Sequence, residues 1–340
     1  MLQPRSAIRR FVTNLLPENP RSEISPAFDL QGFPRPSAYY VDVHPHPPLK
    51  TLLLALTLFL LTLCTCLAAG AQFAAAYAKN QAVSFDEFAH SFTLFYRHPA
   101  ALASGLPFAL TLLLILLAHE LGHFFACRHH HIHSSYPFFV PAPTLIGTFG
   151  AFILLRSPIR TTRALFDVGA SGPLVGFVLA VPALIYGVLH AKIVPAIADP
   201  SKADVIFGAP LILHFLANFL HPGVKASSLL LHPVGRAAWV GLFATSLNLL
   251  PAGQLDGGHI LRSYSLRAHR VVSLLLPVIL IALGFFQNWP GWYLWAGILF
   301  GLRFLRTPPV YDSTPLDANR RRGALIALIV FVLCFMPSPI

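Results

Sequence analysis

Long apolar runs constrain this chain more than any other feature of its sequence. Seven stretches are long enough, or nearly so, to cross a hydrocarbon layer about 30 Å thick, which takes roughly 20 apolar residues in a helix. They lie at residues 51–73, 101–127, 164–190, 235–252, 270–287, 290–305 and 323–337. Since only helices and closed barrels satisfy every backbone hydrogen bond inside a bilayer, the sequence predicts an all-α polytopic membrane protein with about seven transmembrane helices.

Two further apolar pieces do not fit a simple membrane helix, because they are short or interrupted by proline and glycine. Residues 137–155 and 207–220 are therefore expected to be re-entrant or interfacial segments. Residues 1–48 are polar and rich in proline and are predicted to form a cytoplasmic N-terminal arm. Residues 49–338 are expected to form one membrane-embedded domain.

The composition excludes an ordinary soluble globular protein. Of the 340 residues, 55% are hydrophobic and 11% are charged, whereas soluble domains carry about 25% charged residues. A net charge of +11 suggests nucleic-acid binding in a soluble protein, but here the basic residues are scattered among short loops and form no stripe with aromatic residues. The lipid bilayer is therefore the expected partner, and nucleic acid is not.

The distribution of lysine and arginine predicts the orientation in the membrane. In a seven-span arrangement with a cytoplasmic N-terminus, eighteen of these 24 residues fall on the cytoplasmic side of the membrane and six on the outer side. An excess of this kind is typical of cytoplasmic loops. Since no transit peptide is evident, we expect an integral protein of a bacterial inner membrane.

The second apolar run ends in the pattern HELGH, residues 119–123. Residues four apart share one face of a helix, so His119 and His123 can bind one zinc ion while Glu120 acts as the base on the attacking water. Chance matches to this pattern occur in many proteins. Inside an apolar span, however, two histidines and a glutamate need polar partners, and a metal ion supplies them.

Asp256 is the candidate for a third ligand, because a catalytic zinc usually takes three ligands from the protein. It lies in the stretch NLLPAGQLDGG, residues 248–258, whose proline and glycines are expected to break the fourth predicted helix. The second and fourth spans both run from outside to inside, so Glu120 and Asp256 are expected at a similar depth near the cytoplasmic face. The alternative interpretation of Asp256 is a charge at an interfacial helix end.

The order of these two motifs resembles the site-2 protease family, the M50-type intramembrane zinc metalloproteases. Between them, PAPTLIGTFGAFILLRSP and FDVGASGPLVGF, within residues 137–176, resemble the plastid and cyanobacterial branch in particular. The resemblance covers about residues 101–260, the expected catalytic core. Many members carry a PDZ domain, and the loops of this chain are too short for one.

The resemblance implies a function and a set of roles. The chain would be a zinc metalloendopeptidase, with one Zn²⁺, that cuts a transmembrane segment of a single-pass membrane protein near the cytoplasmic face. Residues 137–155 would be a membrane-inserted hairpin beside the substrate strand. The plastid likeness also makes an organellar membrane the alternative location. The implied zinc ligands are His119, His123 and Asp256, with Glu120 as general base, Asn248 lining the active site, and Gly169, Gly172 and Gly176 allowing close helix packing.

Two other classes of protein share parts of this pattern. A transporter or metal-binding channel would line an ion path with the same buried histidines and carboxylates, but it leaves the stretch 248–258 unexplained. A di-iron lipid desaturase needs three histidine boxes, whereas His119 with His123 and the histidines of residues 129–133 imitate only two. An inactive homologue acting as a scaffold is disfavoured by the intact metal motifs.

Several other polar residues have a structural and a functional interpretation. The four histidines of residues 129–133 are interpreted as an interfacial polar loop, with a pH sensor or second metal site as the alternatives. Asp167 is expected to be a charge near a helix start. His214 and His259 are expected to be structural, although His259 follows a glycine pair and is a candidate for substrate contact.

Overall fold

The computed structural model describes residues 49–84, 93, 97–199, 205–304, 310 and 314–340. The predicted N-terminal arm, residues 1–48, lies outside these described residues. The described chain forms nine helices: α1 (Leu49–Lys79), α2 (Leu106–His129), α3 (Thr162–Leu189), α4 (Leu211–Leu220), α5 (Pro233–Asn248), α6 (Asp256–Tyr264), α7 (Leu266–Gln287), α8 (Gly291–Leu302) and α9 (Ala318–Cys334). Strands β1 (Phe138–Pro141) and β2 (Thr148–Phe152) pair antiparallel, as do β3 (Lys192–Ile193) and β4 (Leu229–Leu230).

Four helices in the described residues are long and apolar enough to cross a membrane. They are α1, α2 with the 3₁₀ turn that leads into it from Pro99, α3 and α7. The protein is therefore a polytopic helical membrane protein. The remaining three predicted runs correspond to α5, α8 and α9, which are shorter helices of 16, 12 and 17 residues, so the count of seven spans stays a prediction.

The outward faces of the long helices are apolar, as a lipid environment requires. On α7, Phe285 and Phe286 are 74% and 80% exposed, and on α1 Leu60 is 58% exposed. Water would penalise a continuous surface of this kind, whereas lipid tails do not. The same helices bury small residues toward the protein interior, including Ala68 and Ala69 of α1.

Glycines bring the central helices into backbone contact. At the crossing of α2 and α3, a Cβ added to Gly122 would lie 2.7 Å from the carbonyl oxygen of Ser171. At the crossing of α3 and α5, a Cβ on Gly187 would overlap the backbone of Gly235. Membrane helices associate closely where small residues allow it, so α3 lies directly against both α2 and α5.

The segment expected to be re-entrant, residues 137–155, contains the β1–β2 hairpin. The ladder continues past the strands, because the N–H of Ser135 donates to the carbonyl of Leu154 at 2.9 Å. The hairpin turn docks on α1, where the Thr65 hydroxyl donates to the carbonyl oxygen of Gly147 at 2.6 Å. Gly147 has φ +85° and leaves no room for a Cβ, which would lie 2.7 Å from the Cα of Cys66. This contact fixes the hairpin relative to the helices.

Candidate metal centre

The three predicted ligands converge on one point, although Asp256 lies more than 130 residues after the histidines. His119 and His123 are one turn apart on α2, and Asp256 is the first residue of α6. The two histidine Nε2 atoms are 3.1 Å apart, and Asp256 Oδ2 lies 3.3 Å from each of them. Within the described part of the chain, these three side chains are the one group able to hold a metal ion. We refer to them as the metal centre.

The His123 ring is held with its Nε2 directed into the metal centre. Its Nδ1–H donates a hydrogen bond of 2.7 Å to the carbonyl oxygen of Val168 on α3. A bond of this kind fixes the tautomer, so that the Nε2 lone pair is available to a metal. Two imidazole nitrogens and one carboxylate oxygen form a donor set that zinc prefers, with a fourth position for water or substrate. The residues present therefore fit a zinc ion.

Glycines of α3 make room for the two histidine ligands. A Cβ on Gly172 would overlap the imidazole of His123, and a Cβ on Gly176 would lie 3.3 Å from the Cβ of His119. The close packing implied by the family resemblance is thus present, and the groups it accommodates are the metal ligands themselves. A larger residue at either position has to displace a ligand ring or separate α2 from α3.

The turn between α5 and α6 returns the chain to the metal centre. Gly253 in this turn has φ +60°, a left-handed conformation that glycine adopts without strain. Its N–H donates to the Ser273 hydroxyl at 3.0 Å, and its carbonyl accepts from His269 Nε2 at 3.0 Å. Both partners belong to α7, so this helix holds the turn that presents Asp256.

Glu120 lies on α2 between the two histidine ligands and is 4% exposed. Glu120 and Ile153, the residue that follows β2, line one cavity. Asn248, the last residue of α5, places its Nδ2 atom 3.3 Å from Nε2 of His119. The glutamate and the amide that the sequence analysis assigned to the site therefore both border the metal centre.

A cavity of about 630 Å³ opens at the metal centre. Volumes of this size are typical of small-molecule sites. The cavity is lined by the three ligands with Glu120 and Asn248, and also by residues 151–159 of the hairpin and the segment after it. His259, a candidate for substrate contact, also lines the cavity, whereas His214 lies on an exposed part of α4.

Sequence reasoning missed several residues around this site. His269 and Ser273 hold the turn before α6, and Arg156 and Arg262 line the cavity. In the sequence, His269 and Ser273 look like isolated polar residues of an apolar helix. Arg156 and Arg262 look like ordinary charged residues of polar loops. Only their contacts reveal a role, and a sequence without its fold carries no signal for those contacts.

A second group of polar side chains, the ion-pair cluster, consists of His130, Asp167, Asp317 and Arg320. Asp167 on α3 accepts from His130 Nε2 at 2.7 Å and from Arg320 Nε at 2.8 Å. Arg320 on α9 also pairs with Asp317. Asp317 precedes α9, and hydrogen bonds from the backbone N–H and the guanidinium of Arg320 lower the pKa of its carboxyl. Asp167 therefore joins α2 to α9.

The histidines of residues 129–133 do not extend the metal centre. His130 pairs with Asp167, and in the described residues the only metal-binding group of three is His119, His123 and Asp256. The second histidine box that a di-iron desaturase requires is therefore not assembled there.

Fold and site together define a class of protein. It is an integral membrane protein in which a buried His-His-Asp centre borders a glutamate, the arrangement of a hydrolytic zinc site. The profile of Peptidase family M50 matches residues 107–287, which is more than half of the chain. The chain belongs to peptidase family M50, and the resemblance found in the sequence is confirmed.

Relatives with assigned names agree with this family. The protein named probable zinc metalloprotease EGY1, chloroplastic, from Oryza sativa subsp. japonica is 32% identical over 243 residues, which are 69% of this chain and 41% of the relative. The EGY1 and EGY2 proteins of Arabidopsis thaliana are 32% and 30% identical, over 69% and 73% of this chain and 43% and 47% of theirs. The chain spans less than half the length of each relative. The prediction of a zinc metalloprotease is confirmed at the level of the family.

Proposed function

We propose that the chain is an intramembrane zinc metalloendopeptidase that cuts a transmembrane segment of a single-pass membrane protein near the cytoplasmic face. The observation that carries this proposal is one cavity that is lined both by the metal centre with Glu120 and by Ile153 and Leu155, which follow the β-hairpin. A hydrolytic metal centre and the edge of a hairpin therefore border the same space. Family membership and the names of the relatives support the proteolytic chemistry.

The proposed chemistry follows from the residues at the metal centre. His119, His123 and Asp256 would hold zinc, which when bound polarises a carbonyl and lowers the pKa of a water molecule. Glu120 takes the proton from the attacking water and passes it to the leaving amine. Asn248 donates a hydrogen bond to the carbonyl oxygen as negative charge develops on it.

The substrate has to be extended where it is cut, because a helix engages its carbonyls in hydrogen bonds four residues along the chain. Leu154 and Arg156 bond to residues 133–135 on one side of the hairpin. Backbone groups alternate between the two sides of an antiparallel strand, so those of Ile153 and Leu155 face the other side, toward the cavity that both residues line. An extended substrate segment can pair with this edge as an added strand.

The proposed location and orientation rest on the sequence. The eighteen inner and six outer basic residues support a seven-span arrangement with the arm of residues 1–48 in the cytoplasm and a membrane-inserted hairpin. We place the protein in a bacterial inner membrane. The relatives are named chloroplastic, which makes an organellar membrane the alternative, and fractionation of the native cells distinguishes the two.

Glu120→Gln tests the proposal most directly. The glutamine side chain has nearly the same shape as glutamate and leaves the metal ligands in place, but it cannot act as a base. Cleavage of a single-pass reporter in proteoliposomes should therefore fall by about 10²–10⁴-fold. The amount of zinc bound per chain should not change. Asp317→Asn is the matched control, because it removes a carboxylate outside the cavity and should leave cleavage intact. Cleavage that survives in Glu120→Gln would reject the assigned role, and zinc transport without any proteolysis would favour a transporter.

A further inference from the structure

A buried arginine lies far from the metal centre. Arg236 is on α5, twelve residues before Asn248, and a rise of 1.5 Å per residue separates the two by about 18 Å along the helix. Its residue surface is 6% exposed. Among the described residues, its guanidinium has no carboxylate partner and donates no hydrogen bond. An isolated buried charge is costly, so a partner for it is expected.

Aromatic rings surround the Arg236 guanidinium without using its hydrogen-bond donors. The ring centroid of Phe207 lies 3.8 Å from the guanidinium carbon, that of Trp239 lies 5.7 Å away, and that of Phe73 lies 5.9 Å away. These rings attract the positive charge. The five N–H groups at the edge of the guanidinium need acceptors, which aromatic carbon does not supply.

A small cavity lies beside the guanidinium and is called the arginine pocket here. Its volume is about 30 Å³, and its lining includes Arg236, Phe207, Gly208, Ser227 and Leu231. This space is large enough for a water molecule or a small inorganic anion. Among the described lining residues none is acidic.

We propose that the arginine pocket binds one halide ion, chloride under ordinary conditions. A monatomic anion fits the pocket, neutralises the guanidinium and accepts hydrogen bonds from its N–H groups, while the Ser227 hydroxyl can donate an additional hydrogen bond. The ion binds the folded protein and loses its site on unfolding, so it stabilises the fold by mass action. This site is independent of the proteolytic one, because it lies at the other end of α5.

The test is thermal unfolding of the detergent-purified full chain in sodium chloride, sodium bromide or sodium gluconate at constant ionic strength. Chloride and bromide should raise the midpoint by at least about 2 °C, with saturation as their concentration increases. Gluconate, a bulky organic anion, should have no such effect. Lys225→Gln, which removes an exposed positive charge near the pocket, should keep the halide dependence, and Arg236→Gln should lose it.

Either of two results would overturn the proposal. One is a wild-type midpoint that does not depend on halide, which would mean that water or another group satisfies Arg236. The other is an equal halide effect in Arg236→Gln, which would place the ion elsewhere. The wild-type titration decides the first point even when Arg236→Gln fails to fold.

Discussion

The metal centre and the ion-pair cluster both lie near the C-terminal end of α2, yet they satisfy their polar groups in different ways. In the ion-pair cluster, the Asp167 carboxylate has positive partners from the chain itself, with Arg320 Nε at 2.8 Å and His130 Nε2 at 2.7 Å. In the metal centre, two histidine nitrogens and a carboxylate oxygen converge within 3.3 Å of one another. The first group is complete without a ligand, whereas the second gathers lone pairs around a place that suits a cation.

This difference separates two aspartates that look alike in the sequence. Asp167 and Asp256 both lie at the edge of an apolar run, where a carboxylate needs a partner. Asp167 finds that partner in Arg320, and the pair ties α3 to α9. Asp256 is placed against His119 and His123. A buried acid in a membrane protein therefore indicates a metal site only when its neighbours are themselves metal ligands.

Among variants that distinguish the metal centre from the ion-pair cluster, Asp256→Ala is expected to have the largest effect on zinc binding. Loss of a direct ligand should weaken zinc binding by at least about 100-fold, since even partners that only orient ligands are worth 10–100-fold. Zinc per purified chain, measured by mass spectrometry against a chelator series, reports this change. Asp317→Ala removes an aspartate from the ion-pair cluster and should keep its zinc. Unchanged zinc in Asp256→Ala would place the third ligand elsewhere.

A smaller effect on the metal is expected for Gly172→Ala. The added methyl group has to displace the His123 ring or move α3, and a displaced ligand should lower zinc affinity by about 10-fold. Gly301→Ala on α8 is the matched control, because a Cβ there meets nothing within 4 Å. Normal zinc affinity in Gly172→Ala, measured by the same chelator series, would show that the α2–α3 contact adapts without disturbing the ligand.

The smallest effect is expected for Arg320→Gln, and it should concern stability only. Loss of hydrogen bonds to two carboxylates should lower the free energy of unfolding by about 1–3 kcal/mol, seen as a lower thermal midpoint. Arg322→Gln, which changes an exposed arginine two residues along α9, should leave the midpoint nearly unchanged. Zinc lost from Arg320→Gln would contradict the separation of the two groups.

The parts of the fold that the sequence predicted are those set by local pattern. The apolar runs at 51–73, 101–127, 164–190 and 270–287 correspond to helices long enough to cross a membrane, because a span requires an uninterrupted apolar length. Whether the shorter helices cross the membrane was harder to predict, because the burial of a short helix depends on the elements that pack against it. Trp292 illustrates this, since it is fully buried and its Nε1–H donates to the carbonyl of Pro337 at 2.7 Å.

The sequence by itself indicated which side chains supply the metal-ligating atoms. His119 and His123 share a helix face because their spacing matches one helical turn, and the glycine-rich stretch around Asp256 signalled a broken helix. Tertiary structure alone decided that Ile153 lines the same cavity as Glu120 and that aromatic rings surround the Arg236 guanidinium. Contacts of this second kind join residues far apart in the chain. They depend on how the helices pack and where the turns lead, which no short sequence pattern encodes.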